Sequence, residues 1–446
     1  MKKSLFIIVL SLSFITKAQT IKGQLKYHAE QQLSLTGFNY YESVELAKIS
    51  IDSLGNFTLN YPKNYKGMAV INTQGNNSLV VDLTEPNIHI RGTHLTELDS
   101  LQYVDSPKNK QFNELVNGYT QRTQAYQAWR YLQPKYNEKQ PLKAQKKVAQ
   151  LINKEIKRLE TADVLAVASL PENSYQSWFV PVRKLINDMP QTVRNYTERI
   201  PQNIQQFRST DFNNPNFKTS GLFRELIEGH YLLLENMGQP LDSVYSQMNQ
   251  STEYLLANLK QNKPLLSKVS KELFTFFEKR SLFTVATYLS ERLVSQHPEV
   301  LDAELRSKME RYVSLKVGDT APDIQLTTTK KLSDIANNVL LVFGSSECSY
   351  CIDDKNKLEE YYPKWQDKGN LEVVYISIDT NKTDFETTYK NTPWETYCDF
   401  KGWDNKAVKD YYVNATPTYV LLDKNLKIVL HPKSVELVDS WVSLNL

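Results

Sequence analysis

The chain has 446 residues, too many for one hydrophobic core, so several folding units are required. A composition of 41% hydrophobic and 23% charged residues, with 14 Gly and 18 Pro, excludes a long disordered tract. A formal net charge of +3 gives no electrostatic basis for a nucleic-acid or membrane-surface partner, although residues 315–446 hold 15 Lys, no Arg and 20 acidic residues and so form an acidic end on a basic body.

The amino terminus reads MKKSLFIIVLSLSFITKAQT: Lys2 and Lys3, an apolar run from Leu5 to Ile15, then the small residue Ala18. This order is that of a signal peptide cut after Ala18, and the run is too short to span a bilayer comfortably. With no Cys near the cut, a soluble exported protein, periplasmic or otherwise, is expected in place of a lipoprotein. From Thr20 to about Thr93 apolar alternation predicts some seven short strands, among them SVELAKISID and FTLNYP as a pair joined through Ser53-Leu54-Gly55-Asn56. A small β-sandwich or barrel follows, over residues 19–105.

After Ser106-Pro107, an N-cap and first-turn proline, the period becomes helical. Phe112, Leu115, Val116, Tyr119, Tyr126 and Trp129 share one face, Val148, Leu151, Ile152, Ile156 and Leu159 another, and both stripes are expected in the core of a helical domain over residues 106–314. From residue 315 to 446 strand and helix patterns alternate, the mark of a layered α/β unit. The fold class expected is multidomain α+β: a β-sandwich-like module, a helical middle domain and a C-terminal α/β fold.

The three cysteines, Cys348, Cys351 and Cys398, all lie in that last region, so the chain is no disulfide-stapled scaffold. Cys348-Ser349-Tyr350-Cys351 follows the buried-type strand NVLLVF and opens a segment in which Leu358, Tyr361, Tyr362 and Trp365 recur at helical spacing. The thiols therefore sit at a helix N-terminus, where unpaired N–H groups and the dipole favour thiolate. Cys348 is expected to attack and Cys351 to resolve. A zinc site would need two more ligands, and Cys398 and His431 lack paired spacing; Ile352 after the second cysteine excludes c-type haem attachment. No metal and no cofactor is expected. Cys398, flanked by Tyr397 and Phe400, is expected to be a buried, unpaired thiol.

Three motifs in order, VGDTAPDIQL, FGSSECSYC and NATPTYVLLD, resemble those of the thioredoxin superfamily, in particular the TlpA-type exported thioredoxins. The preceding β-rich and helical parts resemble the arrangement of Bacteroidetes-type exported proteins, through IDSLGNFTLN. The resemblance implies a thioredoxin-like fold, a cis-proline at Pro417 facing the dithiol, and auxiliary roles for Thr416 and Asp354, the last in proton handling; Glu347 is an auxiliary candidate on other grounds, because a charge next to the nucleophile would raise the Cys348 pKa by like-charge repulsion. It also implies a thiol:disulfide oxidoreductase, a reductase or isomerase before an oxidase, with cysteine-containing exported proteins as partners and room for a membrane electron donor. The sequence departs from the pattern at Gly344 and Glu347, where tryptophans are usual, and at Val342, where thioredoxins carry a buried acid. Two alternatives remain: an envelope binding protein using the fold as scaffold, and a peroxiredoxin, which the missing Arg argues against.

Overall fold

A computed structural model describes residues 19–446 apart from 76, 98–99 and 137–142. The signal-peptide segment lies outside the described residues. The chain divides into two compact units, 1–240 and 241–446, so the break falls inside the helical stretch.

Among the described residues the first unit holds eight strands, β1 (Gln19–Leu25), β2 (Gln32–Asn39), β3 (Glu42–Ser50), β4 (Asn56–Tyr61), β5 (Met68–Asn72), β6 (Ser78–Asp82), β7 (Asn87–Gly92) and β8 (Gln102–Tyr103). They form two four-stranded sheets, ordered β4-β1-β7-β8 and β3-β2-β5-β6. Alternating residues such as Ile21, Leu33, Leu35, Leu59, Ile71, Val81 and Ile90 close a dry core. The Ser53–Asn56 turn is present, held by the Asp52 carboxylate on the N–H groups of Leu54 and Asn56, with Gly55 at φ +82°. It does not make the expected pair: β3 and β4 lie in different sheets, because the turn carries the chain across the sandwich.

Helices α1 (Pro107–Tyr136), α2 (Lys143–Ala168), α3 (Tyr175–Asn195), α4 (Ile200–Arg208) and α5 (Leu222–Glu235) complete this unit. A buried polar network ties α1 and α3 to β6. Asn109 donates to the Asp82 carbonyl at 3.0 Å and to Glu85 at 2.8 Å, and Gln176 donates to the Asp82 carboxylate at 2.9 Å. The aromatic stripe of α1 is not the core element its spacing predicts. Phe112 is buried, but Val116 is exposed, and Tyr119 and Tyr126 line a cavity of roughly 340 Å³ with Arg122, Asp163 and Arg199. In α2, Ile152, Ile156 and Leu159 are buried while Val148 and Leu151 face water. The physical reason is charge. Arg122 and Lys184 meet Asp163 at 2.6 and 3.0 Å and Arg199 meets Glu160 at 3.1 Å, so the tyrosines pack beside ion pairs with their hydroxyls engaged.

The second unit begins with α6 (Leu241–Leu259), α7 (Lys263–Lys279), α8 (Phe283–Gln296) and α9 (Ala303–Ser314). Strands β9 (Val339–Gly344), β10 (Glu372–Ser377), β11 (Glu395–Cys398), β12 (Thr418–Leu422) and β13 (Ile428–Leu430) follow, interleaved with α10 (Ser349–Gly369), α11 (Lys382–Tyr389), α12 (Lys406–Asp410) and α13 (Val435–Asn445). The sheet runs β11-β10-β9-β12-β13, with β9, β10 and β11 parallel and β12 and β13 antiparallel to their neighbours. β9 is buried on both faces, as its continuous apolar run dictates. Leu341 and Phe343 enter one core, while Leu340 and Val342 enter another shared with Leu358 and Trp365 of α10. Trp365 is fully buried, and its indole donates to Asp439 of α13 at 3.0 Å. This mixed α+β architecture, β-rich first, helical next and α/β last, is the one the sequence implies.

Candidate active site

In a parallel sheet, side chains at the carboxyl ends of adjacent strands converge where helices begin. β9 and β10 pair with Ser377 opposite Gly344, so the segment after Gly344 lies beside the end of β10. Cys348 is the N-cap of α10, in extended backbone, and its sulfur accepts the Cys351 N–H at 3.2 Å. The same N–H also reaches the Cys348 carbonyl at 3.0 Å, so the sulfur shares a first-turn donor at the positive end of the helix, which favours charge on that acceptor. Cys348 is partly exposed and Cys351 is buried, and the two are joined by a disulfide with their Cα atoms 5.2 Å apart.

The peptide between Thr416 and Pro417 is cis, and the Thr416 carbonyl lies 3.6 Å from the Cys348 sulfur. The segment leading into β12 thus adjoins the dithiol through Thr416, with Pro417 the next residue. Glu347 is exposed and touches the site through its backbone, whose N–H donates to Ser345 Oγ at 3.2 Å. Asp354 lies one turn beyond Cys351, where its carboxylate accepts the Tyr419 hydroxyl at 2.5 Å and meets Lys357 at 3.3 Å. Burial and the Asp354 charge hold the Tyr419 phenol far above its ordinary range.

Cys398 is half-buried, not buried as its apolar flanks predict. It lines a cavity of roughly 310 Å³ together with Tyr397, Asp323, Lys331 and Asn405. Its thiol donates to the Asp379 carbonyl at 3.2 Å, and desolvation pushes its pKa up.

Sequence reasoning missed Asp379. It is 5% exposed, just past the end of β10, and accepts from Ser345 Oγ at 2.7 Å, Ser346 N and Oγ at 2.9 Å each, and Ser377 Oγ at 2.8 Å. The available signal was that two apolar strands, LLVF and VVYI, are each followed within three residues by polar side chains, Ser345 and Ser346 after the first and Ser377 and Asp379 after the second. Val342, by contrast, is an ordinary core residue.

These features define a dithiol–disulfide centre on a thioredoxin fold. The Thioredoxin-like family model matches residues 337–428, which span the strand before the dithiol to β13. Tryparedoxin of Trypanosoma brucei brucei is 29% identical over 97 residues, 22% of this chain and 67% of its own. A thiol-disulfide oxidoreductase from Bacteroides fragilis is similar in structure over 29% of this chain and 100% of its own, with 24% identity and a TM-score of 0.27. A thioredoxin-like protein from Bacteroides caccae covers 56% of this chain and 94% of its own, with 14% identity and a TM-score of 0.42. The C-terminal part of the chain is a thioredoxin-like domain.

Proposed function

We propose that the protein is an exported thiol:disulfide oxidoreductase that acts, as reductase or isomerase, on cysteine-containing exported proteins. The observation that carries this reading is the asymmetry of the dithiol. Cys348 is partly exposed with its sulfur on a helix N–H, and Cys351 is buried one turn inside. In the reduced protein the Cys348 thiolate attacks one sulfur of a substrate disulfide, forming a mixed disulfide and releasing the other sulfur as a thiolate that takes up a proton. Cys351, losing its proton, then attacks Cys348 and frees the second substrate thiol. Two electrons and the Cys351 proton leave the dithiol, solvent supplies the other proton that the substrate thiols take up, and Cys348–Cys351 is left oxidised. An external dithiol, for which a membrane electron donor is the natural source, returns it to the reduced form.

The Thr416 carbonyl beside Cys348 suits the backbone of a substrate chain laid along the cis-proline loop. Asp354 is assigned to structure before proton transfer, since its carboxylate is engaged by Tyr419 and Lys357 and so fastens β12 to α10. The preference for reduction or isomerisation rests on the TlpA-like motifs, and export rests on the leader sequence. Insulin reduction by the chain lacking residues 1–18, with dithiothreitol as electron source, tests the reading. Turnover above the dithiothreitol background is expected. A protein whose two thiols are shown to be reduced and that still leaves insulin intact would be a binding protein on a thioredoxin scaffold.

A further inference from the structure

We infer that Asp379 is a positioning residue for the dithiol, holding the turn between β9 and α10 through Ser345 and Ser346. This deepens the oxidoreductase reading and draws its functional weight from it. One carboxylate oxygen receives three donors from two successive residues of that turn, Ser345 Oγ, Ser346 N and Ser346 Oγ. The other oxygen receives Ser377 Oγ, which in turn accepts the Asp379 N–H at 3.0 Å and so fixes the carboxylate to the end of β10.

The restraint reaches the nucleophile in two further bonds. Ser345 Oγ, while donating to Asp379, accepts the Glu347 N–H, and the Ser345 carbonyl accepts the Cys348 N–H at 3.3 Å. Every donor to Asp379 in this set is neutral. Four donors spread over both oxygens of one side chain call for a carboxylate, an acceptor-only group whose two oxygens together offer about four lone-pair sites. Two serines bonded to one fixed atom leave the backbone from Ser345 to Cys348 little freedom. The Cys348 sulfur is thereby kept at the Cys351 N–H, the bond that favours its thiolate.

Placement and electric field make opposite demands, which is what allows a test. Loosening the turn weakens the N–H bond to sulfur and raises the Cys348 pKa, whereas removing a nearby negative charge lowers it. The experiment is the pH dependence of Cys348 alkylation by iodoacetamide in the full reduced chain, read on the Cys348 peptide by mass spectrometry so that Cys398 does not interfere. Asp379→Ala and the pair Ser345→Ala/Ser346→Ala are each expected to move the midpoint up by about one pH unit, the scale of one lost hydrogen bond to a charged group.

Combined, the three substitutions should give no more than Asp379→Ala alone, because they break one device. Asp379→Asn, which keeps shape and one acceptor oxygen, should give a smaller upward shift. A midpoint that falls in Asp379→Asn, one that stays unchanged in the serine pair, or additive shifts in the triple variant would each overturn the inference. If Asp379→Ala fails to fold, the serine pair carries the test. Alkylation needs no protein substrate, so a failed insulin assay would count against the oxidoreductase reading and leave this result standing.

Discussion

The Tyr375 hydroxyl occupies the space that a side chain at Gly344 would need: a Cβ built there overlaps the phenol, which is itself bonded to the Tyr389 hydroxyl at 3.2 Å. This accounts for the departure from the thioredoxin pattern at Gly344. With Tyr375 of the neighbouring strand in this place, β9 has room only for glycine at 344. Gly344→Ala is therefore expected to destabilise the C-terminal unit by about 1–3 kcal/mol, the range for overpacking a filled core. Tyr375→Leu in the same chain should recover part of that loss. Urea unfolding of the single and double variants checks it, and simple additivity of the two effects would show that the residues do not compete for one space.

The roles within the dithiol follow from exposure. Cys351→Ser is expected to accumulate mixed disulfides through Cys348 when exposed to exported proteins, and Cys348→Ser to accumulate none, since the remaining sulfur is buried. Non-reducing gels followed by mass spectrometry of the trapped species make the comparison. Equal trapping by both variants would reverse the assignment.

Cys398 has a different environment, with its thiol donating to a backbone carbonyl and its pKa pushed up. Cys398→Ser is expected to keep insulin reduction within about twofold of the parent, because a hydroxyl can make the same bond and surface-proximal polar exchanges cost little. In the reduced chain Cys398 should also be alkylated more slowly than Cys348 at neutral pH. A loss of turnover comparable to that of Cys348→Ser would promote it to a third redox residue.

His431 supplies a pH dependence. It is buried, its Nε2–H donates to the Leu315 carbonyl at 2.7 Å, and burial, reinforced by Arg311 and Lys433, pushes its pKa down to about 4. An unfolded histidine near 6.5 binds its proton first, so the stabilising contribution is complete above that value and is lost as pH falls from 6.5 toward 4. The full span corresponds to about 3 kcal/mol. Hydrogen exchange on peptides covering residues 428–446 should therefore accelerate between pH 6.5 and 4.5 beyond its intrinsic trend, and His431→Gln should flatten the change.

The C-terminal unit was legible because its signals are local and redundant. The apolar run before Cys348, the helical recurrence of Leu358, Tyr362 and Trp365, and the strand after Pro417 each constrain the fold, and all lie in the elements expected. The α1 stripe misled because periodicity reports which residues share a face and says nothing of what lies opposite. Tyr119 and Tyr126 face Asp188 and Glu160 across other helices, and those partners are set by tertiary placement. The β3–β4 connection misled for a related reason: a turn sequence fixes a reversal, but not whether the next strand rejoins the same sheet. Asp379 went unread because its partners in the site, Ser345 and Ser346, lie 34 and 33 residues away, and the polar residues after the two strands carry no sign that strand register brings them together.

The strand order β4-β1-β7-β8 places the first described strand inside its sheet, antiparallel to β4 and parallel to β7, with Thr20 opposite both Asn60 and Asn87. Gln19–Leu25 is therefore a keystone, hydrogen-bonded along both edges, and its removal would part β4 from β7 and β8.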